Sequence, residues 1–286
     1  MRTRFAPSPT GPLHLGHAYS ALIAFDMAQA AGGAFLIRIE DIDQNRARPE
    51  WEAQIYDDLR WLGLSWERPV MRQSDRLPAY RSALEMLWSQ GLLYPCSCTR
   101  RDIQDAASAP QEGAQPPVGP DGIVYPGTCR PDTPPTGAMP DNAVLRLDMR
   151  RALAGLANDL SFEERGYGPR GEHGTIQIAR DAMIRDVGDV VLARRDMGTS
   201  YHLSVVVDDA EQRISHVIRG EDLFDATPIH ILLQRLLGLS SPAYHHHRLI
   251  RDAAGKRLAK RDDARAIRTY HEEGLTPADI RAEVGL

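Results

Sequence analysis

A chain of 286 residues, 42% hydrophobic and 26% charged, can fill one large or two modest cores, which excludes a disordered tail, a collagen and a disulfide-stapled mini-protein. The formal net charge of -5 gives no whole-molecule pull on polyanions, so a nucleic-acid partner has to meet a local basic patch. With no run of about 18 apolar residues and no apolar leader after Met1-Arg2-Thr3-Arg4-Phe5, the expectation is a cytoplasmic protein without a membrane partner.

In chain order, Thr3 to Ala6 predicts a short strand, the Pro/Gly turn from Pro7 to Pro12 follows, and Leu15 to Ala30 predicts a helix stopped by Gly32-Gly33. Ala34 to Ile39 is a second strand, completing a strand–helix–strand unit of the parallel α/β kind. Helices are expected at Pro49 to Leu62 and Pro78 to Gly91, each opening with Pro and closing at or before Gly. From Pro110 to Pro140 the sequence holds nine of its 20 prolines and reads as loop. Strands return at Ala143 to Leu147, Thr175 to Ile178 and Val190 to Ala193, and buried α/β texture resumes at Tyr201 to Asp208 and His216 to Arg219. A helix from Thr227 to Leu237 ends at Gly238, His247 to Ile250 leads into a basic loop, and the last 26 residues are mostly amphipathic helix. Four segments follow: 1–93 and 196–245 as two halves of one catalytic domain, 94–195 as an insertion, and 246–286 as the loop and a short helical region.

The sharpest chemical signal is the run Pro7-Ser8-Pro9-Thr10-Gly11-Pro12-Leu13-His14-Leu15-Gly16-His17, which brings two imidazoles to a helix N-terminus. Free N–H groups and the helix dipole favour an anion there, Gly16 lets a nucleotide approach the backbone, and His14 and His17 lie on one helical face. A second signal is compositional: 32 of the 34 basic residues are Arg, and the only lysines, Lys256 and Lys260, share one loop. The cysteines, Cys96, Cys98 and Cys129, are an odd number in one short window, which favours thiols or metal ligands over a disulfide framework. Three thiolates lack one partner for a zinc tetrahedron, and His173 or water is open as the fourth ligand. His245-His246-His247 reads as structure or loop support, Asp41 and Asp43 as braces of the turn after the second strand, and Trp51, Trp61, Trp66 and Trp88 as core.

Arg4-Phe5-Ala6-Pro7-Ser8-Pro9-Thr10-Gly11 followed by HLGH resembles the HIGH signature of class I aminoacyl-tRNA synthetases in its glutamyl and glutaminyl form. Arg257, Leu258, Ala259, Lys260 and Arg261 sit where those enzymes carry KMSKS, with Arg257 and Ala259 departing from the consensus. Gln73-Ser74, Leu93-Tyr94-Pro95-Cys96, Ser200-Tyr201-His202-Leu203, Val207-Asp208-Asp209 and Val217 to Leu223 agree, so the resemblance covers nearly the whole chain.

The resemblance implies an α/β class I fold, a Rossmann-type parallel sheet interrupted by a zinc-containing, acceptor-type insertion, with a short helical C-terminal region and no anticodon-binding domain. It implies His14, Gly16, His17 and Lys260 as the catalytic set on Mg-ATP, and Arg4, Ser8, Glu40, Tyr201 and Arg219 as the glutamate site. Physically, guanidinium forks from Arg4 and Arg219 would clamp carboxylate, Tyr201 would add a hydroxyl, and Glu40 at a strand end would pair the ammonium.

The pattern Cys96, Cys98, Tyr125, Cys129 and the missing anticodon domain resemble the short paralogues called glutamyl-queuosine tRNA(Asp) synthetases, in which the tyrosine is the fourth zinc ligand. That resemblance implies a monomeric ligase that activates glutamate without tRNA and transfers it to queuosine in tRNA(Asp). A truncated enzyme charging a tRNA 3′ end and a non-catalytic paralogue that binds tRNA or glutamate are the alternatives. The stretch from His247 to Arg268, with eight Lys/Arg against three Asp, is the expected tRNA contact.

Overall fold

The computed structural model describes residues 1–108, 116–251 and 265–286. The chain opens with strand β1 (Arg2–Phe5), helix α1 (Leu15–Ala30), strand β2 (Ala34–Ile39), helix α2 (Pro49–Trp61), the short strand β3 (Met71–Arg72) and helix α3 (Leu77–Ser89). The predicted helix over 15–30 and strand over 34–39 carry the observed bounds, while β1 begins one residue before the predicted strand and stops at Phe5, ahead of Pro7. His14 caps α1 and Gly32 ends it at φ +58°, a conformation that suits a residue without Cβ. Gly33 has a different reason, because a Cβ there would lie 1.9 Å from the carbonyl oxygen of Met1.

The middle of the chain holds β4 (Leu93–Cys96), α4 (Arg100–Ser108), β5 (Val118–Gly119), β6 (Gly122–Ile123), β7 (Val144–Leu147), α5 (Met149–Ala154), β8 (Leu160–Glu164), β9 (Gly174–Ile178), α6 (Arg180–Ala182) and β10 (Val191–Ala193). The described part of the proline-rich stretch, 116–140, is therefore loop apart from the small β5–β6 hairpin. Next come α7 (Tyr201–Glu211), β11 (His216–Gly220), α8 (Thr227–Leu236) and β12 (Ala243–His247), and the chain ends in α9 (Ile267–Glu272) and α10 (Pro277–Val284).

β1, β2 and β3 are parallel, and β11, β12 and β8 are parallel with β9 antiparallel at the edge. β1 is tied to the start of β11, with Ser215 N donating to Arg2 O at 2.9 Å and Arg2 N donating to Ser215 Oγ at 2.8 Å. β10, β7 and β4 form a separate antiparallel sheet. Two findings depart from the sequence reading. Strands β8 and β9 lie inside the stretch 94–195 yet join the sheet of β11 and β12, so that stretch is not one continuous insertion. The three histidines end a strand that the sequence reading did not include: β12 is paired on both sides, and the burial of His246 and His247 as structural side chains agrees with the structural role expected of them.

Two apolar cores flank this frame. One packs β1, β2, α1 and α2 with Ile267, Tyr270, Ile280 and Val284 of α9 and α10, so the C-terminal helices close over α1. Arg281 adds a paired contact to Asp26 at 2.7 and 2.9 Å. The other core packs α3, α7 and α8 against β4, β7, β8 and β10. Trp61, Trp66 and Trp88 lie half-buried against these cores, while Trp51, also half-buried, belongs to neither. No helix among the described residues is long and apolar enough to cross a membrane.

Candidate active site

The carboxyl ends of β1, β2 and β11 and the first turn of α1 surround a cavity of about 330 Å³ lined by Arg4, His14, Gly16, His17, Glu40, Tyr201 and Arg219. Seven of the eight expected catalytic and glutamate-site residues outside the basic loop and the cysteine cluster thus meet in one place, although 215 positions separate the first from the last. Ser8 opens instead onto a neighbouring cleft of about 1030 Å³, which shares Glu40 and Tyr201 with the first and extends to Cys96, Cys98, Asp121 and Arg194 to Asp196. Lys260, with Arg257, Leu258, Ala259 and Arg261, lies outside the described residues, as does Lys256. The flanks of that loop are at the cavity: Leu249 and Ile250 line it, Ala266 bridges His14, and Ile267 N donates to Leu13 O at 2.8 Å.

The HLGH turn is rigid. His14 Nδ1 accepts from Gly16 N, and His17 Nδ1 accepts from His14 N, each at 3.1 Å, so the two histidines form a reciprocal cap. A ring that accepts at Nδ1 carries its proton on Nε2, the donor a phosphate oxygen would meet. The ring centroids are 3.8 Å apart. A Cβ on Gly16 would come within 3.0 Å of His14 Cε1, so this glycine makes room for the folded-back imidazole as well as for an approaching nucleotide.

The two expected clamp arginines have opposite surroundings. Asp209 accepts from Arg4 Nε at 3.0 Å and from its second nitrogen at 3.2 Å, and also from Arg38 at 2.6 Å. The fork expected for substrate is thus occupied by a buried carboxylate of α7. Burial disfavours the Asp209 charge, but Arg4 and Arg38 hold its carboxyl below the usual range. Arg219 donates instead to His246 Nε2 at 3.1 Å, to His230 Nδ1 at 3.1 Å and to Thr227 Oγ1 at 2.8 Å, and forms no ion pair with a described carboxylate. Burial and the neighbouring Arg219 push His230 well below the usual histidine range. A buried cation held by uncharged groups is a ready partner for an incoming anion. Glu40 accepts from Arg38 at 3.3 Å, and burial raises its carboxyl although Arg38 and Arg4 oppose this.

Asp41 braces the turn as expected, accepting from Ser74 N at 2.8 Å and Ser74 Oγ at 2.7 Å. Asp209, Thr227 and His230 are the supporting groups not singled out from sequence, and His246 has the structural role expected of the histidine run. Asp209 lies in the Val207-Asp208-Asp209 stretch, where nothing local ties it to Arg4.

The cysteines converge at the end of β4. The Sγ atoms of Cys96, Cys98 and Cys129 lie within 4.8 Å of one another, and all three are free thiols. The Tyr125 hydroxyl is 3.5 Å from Cys96 Sγ and 3.3 Å from Cys98 Sγ, and it accepts from Cys129 N at 2.8 Å. A tetrahedral site with roughly 2.3 Å zinc–sulfur bonds has edges of roughly 3.8 Å, a scale these contacts match. Burial opposes ionisation of Cys129, but hydrogen bonds from Tyr125, Ser97 and Cys98 bring its thiol down to about 6. His173 is elsewhere, with Nδ1 donating to Gly166 O at 2.8 Å.

A family model described as tRNA synthetases class I (E and Q), catalytic domain, matches residues 1–118 and 173–286. Among curated proteins the chain is 65% identical, over the whole of both chains, to a glutamyl-Q tRNA(Asp) synthetase of Rhodobacter capsulatus. It is 41% identical over 98% of its length to the protein of that name from Nocardia farcinica, of which it covers 82%. Among solved structures it is similar to a glutamate-tRNA synthetase from Elizabethkingia anophelis, with 26% identity and a TM-score of 0.76. That match takes in 99% of this chain and 61% of the other, so the chain spans about three fifths of that synthetase.

Proposed function

The chain belongs to the class I tRNA synthetases of the E and Q type, within their glutamyl-Q tRNA(Asp) synthetase branch, and from that premise we propose that this ligase forms glutamyl-adenylate without tRNA and passes the glutamyl group to queuosine in tRNA(Asp). The observation that carries the first half is Arg219, a buried guanidinium without a carboxylate partner among the described residues, in the same cavity as the HLGH imidazoles. The second half rests on the likeness to the glutamyl-Q tRNA(Asp) synthetase of Rhodobacter capsulatus, 65% identical over the whole of both chains.

The glutamate carboxylates meet Arg219, Arg4 and Tyr201, Glu40 faces the ammonium, and Ser8 closes the side toward the larger cleft. With Asp209 occupying its fork, Arg4 contributes field and shape, and Arg219 carries the direct ion pair. The α-carboxylate then attacks the α-phosphorus of Mg-ATP, and pyrophosphate leaves. Nε2–H of His14 and His17 and the ammonium of Lys260 stabilise the charge that develops, by position and electrostatics. Arg257, Leu258, Ala259 and Arg261 supply the rest of the phosphate loop. Attack of a queuosine hydroxyl on the activated carbonyl forms the ester and releases AMP. Cys96, Cys98, Cys129 and Tyr125 would hold one structural zinc ion, whose chemistry is to cross-link the end of β4 to the proline-rich loop. The enzyme is read as a cytoplasmic monomer with catalytic segments 1–93 and 196–245, to which β8 and β9 add two strands of the sheet.

Incubation with ATP, radioactive glutamate and queuosine-containing tRNA(Asp), followed by digestion to nucleosides, tests the proposal. Label is expected on the queuosine nucleoside and to survive mild removal of the 3′-terminal nucleotide. Label confined to the 3′ end of a tRNA would overturn the transfer step and favour a truncated synthetase.

A further inference from the structure

Arg219 is held by imidazoles, and the hydrogen-bond chemistry fixes which way each of them points its proton. A guanidinium has no acceptor, so His230 Nδ1, 3.1 Å from Arg219, must be unprotonated and His230 carries its proton on Nε2. That Nε2–H faces His202 Nδ1 at 3.1 Å, which must then accept, leaving the His202 proton on Nε2. His202 Nε2 in turn lies 3.5 Å from Asp121 Oδ1. The chain from Arg219 through His230 and His202 to Asp121 therefore has a single direction, and each link requires the one before it. His202 sits at the start of α7, His230 on α8 and Asp121 in the turn of the β5–β6 hairpin. His202 and His230 are buried, whereas Asp121 lines the larger cleft.

We propose that Asp121, His202 and His230 form a positioning relay that holds Arg219 aimed at the substrate carboxylate, so that a hairpin outside the glutamate cavity sets the enzyme's affinity for glutamate. The proposal rests on reading that cavity as the glutamate site. The alternative for Arg219, direct pairing with a protein carboxylate, would neutralise it as Asp209 does Arg4. The relay places the balancing anion two imidazoles away, which keeps the fork oriented while its charge stays available. His246 repeats the arrangement on the other side, accepting from Arg219 Nε and bonding through Nδ1 to Glu164 at 2.5 Å. The carboxylate of Asp121 agrees with this role: burial would raise its pKa, but His202, Arg194 and Arg146 keep it below the usual range.

Glutamate-dependent ATP–pyrophosphate exchange by the intact enzyme tests the relay. Asp121→Ala is expected to raise KM for glutamate about tenfold while kcat and KM for ATP stay within about twofold. Asp121→Asn, whose Oδ1 accepts the same hydrogen, is expected to recover most of the loss. His202→Gln accepts from His230 and donates to Asp121, so it is expected to stay near wild type, whereas His202→Leu breaks the relay. In imidazole nitrogen NMR, His202 and His230 should both show the Nε2–H form in the wild type, and Asp121→Ala should mix the two forms. Unchanged KM for glutamate in Asp121→Ala, an equal rise in KM for ATP, or no difference between the Asn and Ala variants would overturn the relay alone. A wild-type enzyme without glutamate-dependent exchange would instead overturn the reading of the cavity, and the relay with it.

Discussion

Arg4 and Arg219 stand at the carboxyl ends of the neighbouring strands β1 and β11, each is 6% exposed, and both line one cavity. They differ in what holds them. Asp209 takes two nitrogens of Arg4 and also binds Arg38, whose other carboxylate contacts, Glu40 and Asp208, complete a buried network. Arg219 has two imidazoles, a hydroxyl and the Tyr244 ring, 5.1 Å from its guanidinium carbon. A buried ion pair is weak evidence of net stability, but removing one partner strands a charge. The same residue type in the same cavity thus serves as frame at β1 and as ligand grip at β11, and the partner decides which.

The largest effect expected from breaking this comparison is on Arg219. Arg219→Leu should lower kcat/KM for glutamate in pyrophosphate exchange by about a thousandfold, or about 4 kcal/mol, with an unchanged circular dichroism spectrum. Arg219→Lys should rescue little, because an ammonium cannot reproduce the fork that meets His230, His246 and Thr227 together. On the other side of the comparison, Asp209→Asn leaves Arg4 and Arg38 without their shared anion. It should cost about 3 kcal/mol of stability in urea unfolding. An Asp209→Asn protein of wild-type stability that no longer activates glutamate would move Arg4 from frame to grip.

The sequence made Arg4 and Arg219 visible as a pair but not their difference. Local signals sufficed where structure is local: the cap at His14, the stop at Gly32-Gly33 and the apolar run from Ala34 to Ile39 each act within a few residues. The clamp on Arg4 comes from 205 positions away, and the relay joins residues on two helices and a hairpin whose spacing follows no helical or strand period. β12 was hidden for another reason, because three consecutive histidines lack the alternation of a half-buried strand, and only pairing on both sides makes that composition suitable. The cysteine cluster was legible because C-x-C brings two ligands together by itself, while Tyr125 needed the fold to bring its hydroxyl onto them.

A smaller effect separates the imidazoles from the carboxylates by pH. Burial pushes His247 down to about 4, and burial also lowers His230, His246 and His245. Between the unfolded value near 6.5 and the folded value, the unfolded chain binds more protons, so stability is full above about pH 6.5 and falls as acid is added. His247 alone should cost about 2 kcal/mol on going from pH 7 to pH 5. Urea midpoints at the two pH values should show this slope, and His247→Gln should flatten it by that amount. A slope unchanged in His247→Gln would mean that another buried histidine carries the acid sensitivity.

The smallest effect is also the one that reads both arginines at once. Glutamate at ten times its dissociation constant should add about 1.4 kcal/mol of stability, a rise of roughly 2–3 °C in Tm for a chain of this size. Arg219→Leu should unfold near the wild-type temperature and show no rise at the same glutamate concentration, because it lacks the grip and keeps the frame. Asp209→Asn should begin several degrees lower and still rise with glutamate, because its frame is weakened while Arg219 keeps its imidazoles. Glutamine, which offers an amide where glutamate offers a second carboxylate, should raise the wild type less than glutamate does. If glutamine matched glutamate, the charge on Arg219 would not be what selects the ligand, and the contrast between the two arginines would reduce to one of packing.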